Sequence, residues 1–165
     1  MPAPRTLSEI DWPRWSGVEC TLVFVVRGGE VLLMRKKRGL GAGKINAPGG
    51  KLDAQESPLA AAIRETREEV CAVPSGLSRA GRNRFHFTDG SAIDVHVFRA
   101  SALDGTPAPT PEADPFWSPL EKIPYAEMWE DDALWLPHLL ARRRFSGRFL
   151  FDGDRMLDWA LELPD

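Results

Sequence analysis

The sequence has few cysteines, no long apolar run and no excess of positive charge, and each shortage excludes a class of protein. Two cysteines among 165 residues are too few for a disulfide framework, and the apolar neighbours of Cys20 and Cys71 favour buried free thiols in a reducing compartment. No stretch approaches the roughly 20 apolar residues of a membrane-spanning helix. A net charge of −3 argues against a nucleic-acid polymer as partner, because such proteins usually carry a basic stripe. We therefore expect a cytoplasmic protein with a small-molecule partner.

The remaining composition is that of one globular domain. A hydrophobic content of 43% and a charged content of 27% are ordinary for this class. Residues 1–17 contain two tryptophans but no apolar segment of a secretory signal, and we interpret them as a loosely attached N-terminal extension. Neither a repeat nor a linker interrupts the rest, so the domain proper is expected to span residues 18–165.

Strand patterns occur in pairs along the chain. Apolar, β-branched or alternating runs predict strand pairs at residues 21–26 with 31–34, at 84–88 with 92–100, and within 148–163. The Arg27-Gly28-Gly29-Glu30 segment predicts a hairpin turn inside the first pair. A glycine-rich loop is expected over residues 38–55, and a loop of that length in a compact domain is usually functional.

Two helices are predicted between the strands, which indicates an α+β layered fold. The first begins after Ser57 as N-cap, with Pro58 at its first position. Its buried stripe is predicted at Leu59, Ile63, Thr66 and Val70. The second is predicted over residues 131–144, acidic at its start and basic at its end, with a kink or break at Pro137.

Three carboxylates on the first helix carry the chemical signal. Glu65, Glu68 and Glu69 stand at positions i, i+3 and i+4, so they share one helix face and repel one another. A hard divalent cation offsets such repulsion, and Mg²⁺ prefers oxygen ligands. The alternative is a solvated helix face on which Arg64 and Arg67 neutralise the glutamates.

The spacing around these glutamates resembles the Nudix box. Six fixed positions of such a pattern would match by chance with a probability of about 10⁻⁵. The glycine and charged positions of the box correspond to Gly50, Glu56, Arg64, Glu65, Glu68 and Glu69. The sequence departs from the box at Thr66, Cys71 and Ala72. Cys71 replaces a glycine that ends the helix in this family, where a positive φ is often required.

The resemblance extends to the Nudix hydrolases of oxidised purine nucleoside triphosphates, from Thr21 to the C-terminus. The similar stretches are KKRG at 36–39, GAGK at 41–44, GGK at 49–51, DVHVF at 94–98 and WEDD at 129–132. The resemblance implies an α/β/α sandwich with a mixed central sheet and a short extra β-hairpin. It also implies a monomer that uses Mg²⁺, with Mn²⁺ as a substitute ion, to release a nucleoside monophosphate and pyrophosphate.

The same resemblance assigns roles at the phosphate end of the site. The implied metal ligands are the Gly49 carbonyl, Glu65, Glu68, Glu69 and Glu112. Glu112 is either a further ligand or a base that assists the water, although without the alignment it is an ordinary loop glutamate. Arg64 is expected to orient Glu68 or Glu69, and Glu56 to anchor the loop.

At the other end, Asp131, Asp132 and Asn46 are the implied purine-binding residues, with Trp129 stacked on the base. One of two adjacent carboxylates in a partly apolar pocket tends to stay protonated, so the pair presents both a donor and an acceptor. That pattern would accept both an oxidised guanine and an oxidised adenine. Further contacts are expected from Thr21, Lys36, Gly50, Lys51, Phe85 and Trp135. The alternative is that the two aspartates only stabilise the helix dipole.

Two other functions stay open at this stage. A Nudix enzyme that acts on a nucleotide sugar, ADP-ribose or a methylated nucleotide would share every box residue and differ at Trp129, Asp131 and Asp132. A non-catalytic nucleotide-binding module would be expected to lack one or more of the three helix glutamates, all of which are present.

Overall fold

The computed structural model describes residues 2–164, which form nine strands and two α-helices. The elements are β1 (Val18–Arg27), β2 (Glu30–Lys36), β3 (Ile45–Asn46), β4 (Gly49–Lys51), α1 (Pro58–Val70), β5 (Val73–Phe87), β6 (Ala92–Asp104), β7 (Ala113–Pro119), α2 (Asp132–Leu140), β8 (Phe145–Asp152) and β9 (Arg155–Glu162). None of the helices found within these residues is long and apolar enough to cross a membrane.

The strands form one mixed sheet in the order β3-β2-β1-β6-β5-β8-β9, with β4 also paired to β1 and β7 to β2. The pairs β1–β6 and β5–β8 are parallel, and the others are antiparallel. Alternate residues of β1 face opposite sides: Val23 and Val25 belong to the core that includes Ala62 and Val70 of α1, whereas Phe24 belongs to the core that includes α2. The expected α+β sandwich is confirmed.

All of the predicted strands are present, and several are longer than expected. Strand β7 was not predicted. Gly28 and Gly29 have φ values of 58° and 77°, the backbone conformation that a two-residue hairpin turn needs. The closing hairpin turns where predicted, between β8 and β9. The segment 38–55 is not one continuous loop, because β3 and β4 lie within it. Those strands are too short and glycine-rich to give a periodic pattern.

Helix α1 begins as predicted, and its buried stripe matches the predicted one at Thr66 and Val70 but not throughout. The Ser57 hydroxyl accepts a hydrogen bond from the Ala60 N–H at 3.1 Å. Leu59 is 46% exposed, so the predicted stripe is wrong at that position. The buried residues of the helix are Ala61, Ala62, Thr66, Glu69 and Val70. Alanines let a helix backbone approach a sheet closely, and hydrophobicity alone does not reveal such a face.

Cys71 ends α1 in the left-handed conformation, with φ 63° and ψ 27°. The helix therefore ends with the backbone shape that glycine usually provides, although a side chain is present. Cys71 is exposed and Cys20 is half-buried, so the expectation of two buried thiols is wrong. Helix α2 is shorter than predicted and ends at Leu140. It continues through Pro137, which lies on the exposed face of the helix.

The N-terminal segment is attached to the sheet rather than loose. The Leu7 N–H donates to Asp158 of β9 at 2.8 Å, and the Trp15 indole donates to His86 Nδ1 of β5 at 3.3 Å. The Arg148 guanidinium lies 5.0 Å from the centre of the Trp12 ring. Residues 7–15 thereby cover the part of the sheet formed by β5, β8 and β9.

Candidate active site

A cavity of about 390 Å³ lies where β1 and β2 separate. The two strands pair only over the four residues next to their turn. Beyond them, β4 pairs with the free edge of β1 and β3 pairs with β2. The sheet therefore opens without leaving those edges unpaired, and the separation creates a concave site inside the sandwich.

The cavity gathers the residues that the sequence assigned to substrate binding. All eleven line it: Thr21, Lys36, Asn46, Gly49, Gly50, Lys51, Phe85, Trp129, Asp131, Asp132 and Trp135. They come from β1, β2, β3, β4, β5 and the start of α2.

Asp131 and Asp132 form the buried polar end of the cavity. Each side chain is 2% exposed. The Trp135 indole N–H donates to Asp131 Oδ2 at 2.7 Å, whereas Asp131 Oδ1 and Asp132 Oδ2 have no partner within the described residues. Burial raises the pKa of both carboxyl groups, and the Asp131 charge raises that of Asp132 further. Burying carboxyl oxygens without hydrogen-bond partners costs free energy of folding. Two such groups in one cavity therefore favour a ligand-binding role over a purely structural one.

Trp129 forms one wall of the cavity and is held from several sides. Its ring meets Phe87 and Phe151 edge-on, at centroid distances of 6.4 and 5.5 Å. The Lys44 ammonium lies 5.3 Å from its centroid. A Cβ at Gly41 would lie 2.8 Å from its indole nitrogen, so the glycine-rich loop packs directly against this ring. The orientation of the aromatic wall is therefore fixed before any ligand arrives.

Asn46 and Thr21 add polar groups to the same space. The Asn46 Oδ1 accepts the Ala47 N–H at 2.8 Å, which commits its oxygen to the backbone and leaves its NH₂ group as the available donor. Thr21 is 1% exposed, and its hydroxyl has no hydrogen-bond partner in the described part of the chain.

The other end of the cavity adjoins the glutamate face of α1. The Gly49 N–H donates to Glu69 Oε1 at 3.1 Å. A Cβ at Gly50 would lie 2.4 Å from the Glu65 carboxyl carbon, and one at Gly49 would lie 1.8 Å from the Thr21 carbonyl oxygen. Both glycines are thus required by close approach. They bring two helix carboxylates and the β4 backbone to the edge of the cavity.

Burial makes these carboxylates unusual. Desolvation raises the pKa of Glu69 to about 8, although the Gly49 hydrogen bond opposes the shift. Desolvation also raises the pKa of Glu65, against the effect of Arg64. Hard oxygen donors held in a partly dry site suit a divalent cation, whose charge would favour their ionised forms. Over residues 2–164, however, no three acidic, histidine or cysteine side chains already converge in a way that would hold a metal.

Arg64 holds two of the helix glutamates and Glu56 in place through hydrogen bonds. Its guanidinium binds both oxygens of Glu56 at 2.8 Å, and it also donates to Glu65 at 3.0 Å and Glu68 at 3.2 Å. It therefore contacts Glu68, as expected, but not Glu69. The hydrogen bonds from Arg64 and from the Asp53 backbone lower the pKa of Glu56 to about 2, and Glu56 anchors the loop before α1.

Glu112 lies outside the Arg64 network, but its charge is close enough to contribute to the raised pKa of Glu69. It pairs with Arg38, and its backbone carbonyl accepts the Lys37 N–H at 2.9 Å. The ion pair lowers the pKa of Glu112. Lys36 lines the cavity itself, whereas its neighbour Lys37 pairs with Asp114 on β7.

Several lining residues were not assigned from the sequence. They are Cys20, Leu22, Met34, Gly39, Ala47, Ile93 and Val95. Most are ordinary strand residues whose alternation shows a buried face but not a cavity. Leu40 and Phe87 also line the site, and Leu40 is 56% exposed at its rim.

Comparison with known proteins agrees with the geometry. The NUDIX domain pattern matches residues 18–139, and this chain belongs to the Nudix family. A protein of Danio rerio named oxidized purine nucleoside triphosphate hydrolase is 46% identical over 134 residues, which cover 81% of this chain and 86% of that protein. The Mus musculus protein of the same name is 40% identical over 147 residues, covering 88% and 94%.

Solved structures share the fold. A mutator MutT protein from Bacillus halodurans superposes with a TM-score of 0.78 at 27% identity, covering 88% of this chain and 97% of that one. The Nudix domain of NrtR from Shewanella oneidensis, solved with ADP ribose, superposes with a TM-score of 0.60 at 18% identity, which supports the fold alone. Nudix proteins generally use divalent metal ions.

Proposed function

We propose that this protein hydrolyses oxidised purine nucleoside triphosphates to the monophosphate and pyrophosphate, with Mg²⁺ as its ion and Mn²⁺ as a substitute. The observation that carries the proposal is the pair of buried, incompletely bonded carboxyls, Asp131 and Asp132, at one end of a cavity whose other end meets the glutamates of α1. The names of the two animal relatives, similar over more than four-fifths of this chain, support the same substrate class.

The base end would read the purine through complementary donors and acceptors. The raised pKa of Asp132 favours a carboxyl that donates, while Asp131 accepts from Trp135 and keeps Oδ1 for the ligand. The free NH₂ group of Asn46 supplies a further donor. Trp129 offers a flat, fixed surface on which a purine can stack. An oxidised base carries an altered pattern of donors and acceptors, and the aspartate pair can match it.

The phosphate end would hold the triphosphate next to α1. Glu65, Glu68 and Glu69, together with the Gly49 carbonyl, are the groups that would bind the cation. When bound, the cation polarises phosphoryl oxygens and lowers the pKa of a coordinated water. Arg64 keeps Glu65 and Glu68 oriented, Lys36 supplies positive charge for the phosphates, and Glu112 is the candidate to accept a proton from the water.

A chromatographic assay of substrate loss and nucleoside monophosphate formation tests the proposal, because ADP-ribose would be cleaved without release of pyrophosphate. The enzyme would be supplied with Mg²⁺ and equal concentrations of 8-oxo-dGTP, 2-hydroxy-dATP, O6-methyl-dGTP, dGTP and ADP-ribose. We expect kcat/KM for an oxidised purine triphosphate to exceed that for dGTP by at least about tenfold, since one good hydrogen-bonding difference is worth about 1.4 kcal/mol or more. A preference for ADP-ribose would favour a Nudix hydrolase that acts on another nucleoside diphosphate derivative. No hydrolysis of any compound would favour a binding module.

We further propose that the protein acts as a monomer on the free nucleotides of the cytoplasm. The support is the family resemblance together with a cavity whose eleven expected substrate contacts all come from a single chain. Light scattering during gel filtration would test the monomer, and a mass near twice 18.4 kDa would contradict it.

A further inference from the structure

Asn83 is a fully buried amide within an aromatic core, and nucleotide binding as described above gives it no role. It lies on β5, and none of its surface is exposed. Because side chains alternate along a strand, Asn83 faces the same side as Phe85. That side packs with Phe149 and Trp135. Apolar residues fill such positions unless the polar group has a specific partner.

The partner is the indole of Trp135. In the orientation that satisfies both ends of the amide, Asn83 donates to the Arg82 carbonyl at 3.2 Å and accepts from Trp135 Nε1 at 3.3 Å. The same indole N–H donates to Asp131 Oδ2 at 2.7 Å. One proton is thus shared between a carboxyl that lines the cavity and an amide behind it.

Gly147 on the neighbouring strand leaves space for this amide. It pairs with Asn83 in the parallel register of β5 and β8. A Cβ at Gly147 would lie 2.7 Å from the end of the Asn83 side chain and 2.4 Å from the Phe149 ring. Any larger residue there would push the amide or the aromatic ring from its place. The arrangement around Trp135 therefore depends on two strands as well as on α2.

We propose that Asn83 is a positioning residue for base specificity: it fixes the Trp135 indole and shares its N–H with Asp131, and so governs which purine edge the Asp131/Asp132 pair accepts. This inference rests on the proposed function. A hydrogen bond given to a carboxylate favours its ionised form. Asn83 takes part of that bond, so it leaves Asp131 readier to hold a proton and to donate to a base.

The other titratable groups near the pair stay in place when Asn83 is changed. They are Glu130 and Asp132 on the same segment, Tyr125 on the preceding turn, Lys44 against Trp129, and Cys20, Lys36 and Lys51 along the cavity. A variant at position 83 that keeps the core packed thus alters one hydrogen bond and leaves the surrounding charges unchanged.

The test is Asn83→Leu, which keeps the branched shape of the amide side chain but is larger and has no polar end. The Trp135 N–H would then bind Asp131 alone. We expect the limb of the kcat/KM profile that falls with rising pH to move down by about 0.5–1 pH unit, because Asp131 then loses its donor proton at a lower pH. The ratio of kcat/KM for 8-oxo-dGTP and 2-hydroxy-dATP should change by about 3–10-fold at one pH. The Trp135 indole resonance in a ¹⁵N spectrum should shift as well. If Asn83→Leu does not fold, Asn83→Val serves the same purpose.

A second background makes the result specific. In Trp135→Phe, which lacks the shared proton, adding Asn83→Leu should change neither the pH midpoint nor the substrate ratio further. An unchanged midpoint and ratio in Asn83→Leu, or an equal effect in both backgrounds, would overturn the proposal. If the unaltered enzyme does not prefer oxidised purines over dGTP, the proposed function fails instead. The indole resonance would still reveal whether Asn83 and Trp135 share the proton.

Discussion

The Glu69 carboxylate accepts a hydrogen bond from the backbone N–H of Gly49 at 3.1 Å, so one of the candidate metal ligands also joins helix α1 to strand β4. Glu69 is 5% exposed, whereas Glu68, the residue before it, is exposed to solvent. The three glutamates of the motif are therefore not equivalent. Glu69 is the one whose chemistry and structural role can be separated by a conservative change.

Glu69→Gln should abolish turnover and preserve the fold. The amide oxygen can still accept the Gly49 N–H, but it brings no negative charge to a cation. We expect kcat to fall by about 100-fold or more, with no loss of thermal stability. The matched control is Glu121→Gln, an exposed glutamate on a 3₁₀ turn, which should keep both properties. Near-normal kcat in Glu69→Gln would rule out the proposed metal-binding role.

Asp132→Asn should make the protein less sensitive to alkaline pH. Burial and the charge of Asp131 raise the pKa of Asp132 in the folded protein. Its contribution to stability is therefore fully present below the unfolded-state pKa, about 3.9, and is lost as pH rises through the folded-state value. The variant should melt at least about 2–4 °C higher than the unaltered protein at pH 8, which is the shift that about 1 kcal/mol produces in a domain of this size.

At pH 4 the two proteins should melt at similar temperatures. Asp104→Asn, an exposed change at the end of β6, is the control and should show no such pH dependence. A melting temperature for Asp132→Asn that stays below the unaltered protein by the same amount at every pH would contradict the expected ionisation.

Trp15→Ala should weaken the fold without affecting catalysis. The indole donates to His86 Nδ1, and the ring lies against Gly17, where a Cβ would approach it to 2.8 Å. Loss of this half-buried ring should cost about 1–2 kcal/mol in the free energy of unfolding, measured by urea denaturation. Trp159→Ala, at a site 46% exposed, should cost less than half as much. A changed KM in Trp15→Ala would show that the N-terminal segment reaches the active site.

Cys71→Gly should stabilise the protein. Cys71 has a φ of 63°, and a residue with a Cβ pays about 1–2 kcal/mol in this conformation. Glycine removes that strain but gains more freedom in the unfolded chain, so the expected net gain is about 0.5–1 kcal/mol. Cys71→Ala keeps the Cβ and should give no gain. Equal stabilities for the glycine and alanine variants would mean that the left-handed conformation carries no strain.

Local signals in the sequence predicted the hairpin turns, the α1 start and the glutamate face. Each depends on residues close together in the chain: Gly28 with Gly29, Ser57 with Pro58, and the helical spacing of Glu65, Glu68 and Glu69. The hydrophobic pattern gave a wrong prediction where close packing, rather than apolar character, determines which residues are buried. Leu59 is exposed although it fits the apolar stripe, because small residues allow α1 to approach the sheet at Ala61 and Ala62.

The candidate cavity could be assigned only through the family resemblance. Its walls combine Cys20 from β1 with Val95 from β6 and Trp135 from α2, and no short pattern links residues that far apart. The hydrogen bond between Asn83 and Trp135 is hidden for the same reason. The attachment of residues 7–15 was also missed, since it depends on partners such as Asp158 at the other end of the chain.

The separation of β1 and β2 has a consequence for how such an enzyme can diversify. The glutamate helix approaches one side of the opening, through Gly49 and Gly50 of β4. The aromatic and aspartate walls belong to the segment that starts at Trp129, against the opposite core. Substitutions that reshape the proposed base-binding wall can therefore accumulate in one layer of the sandwich while the candidate metal ligands are inherited intact in the other.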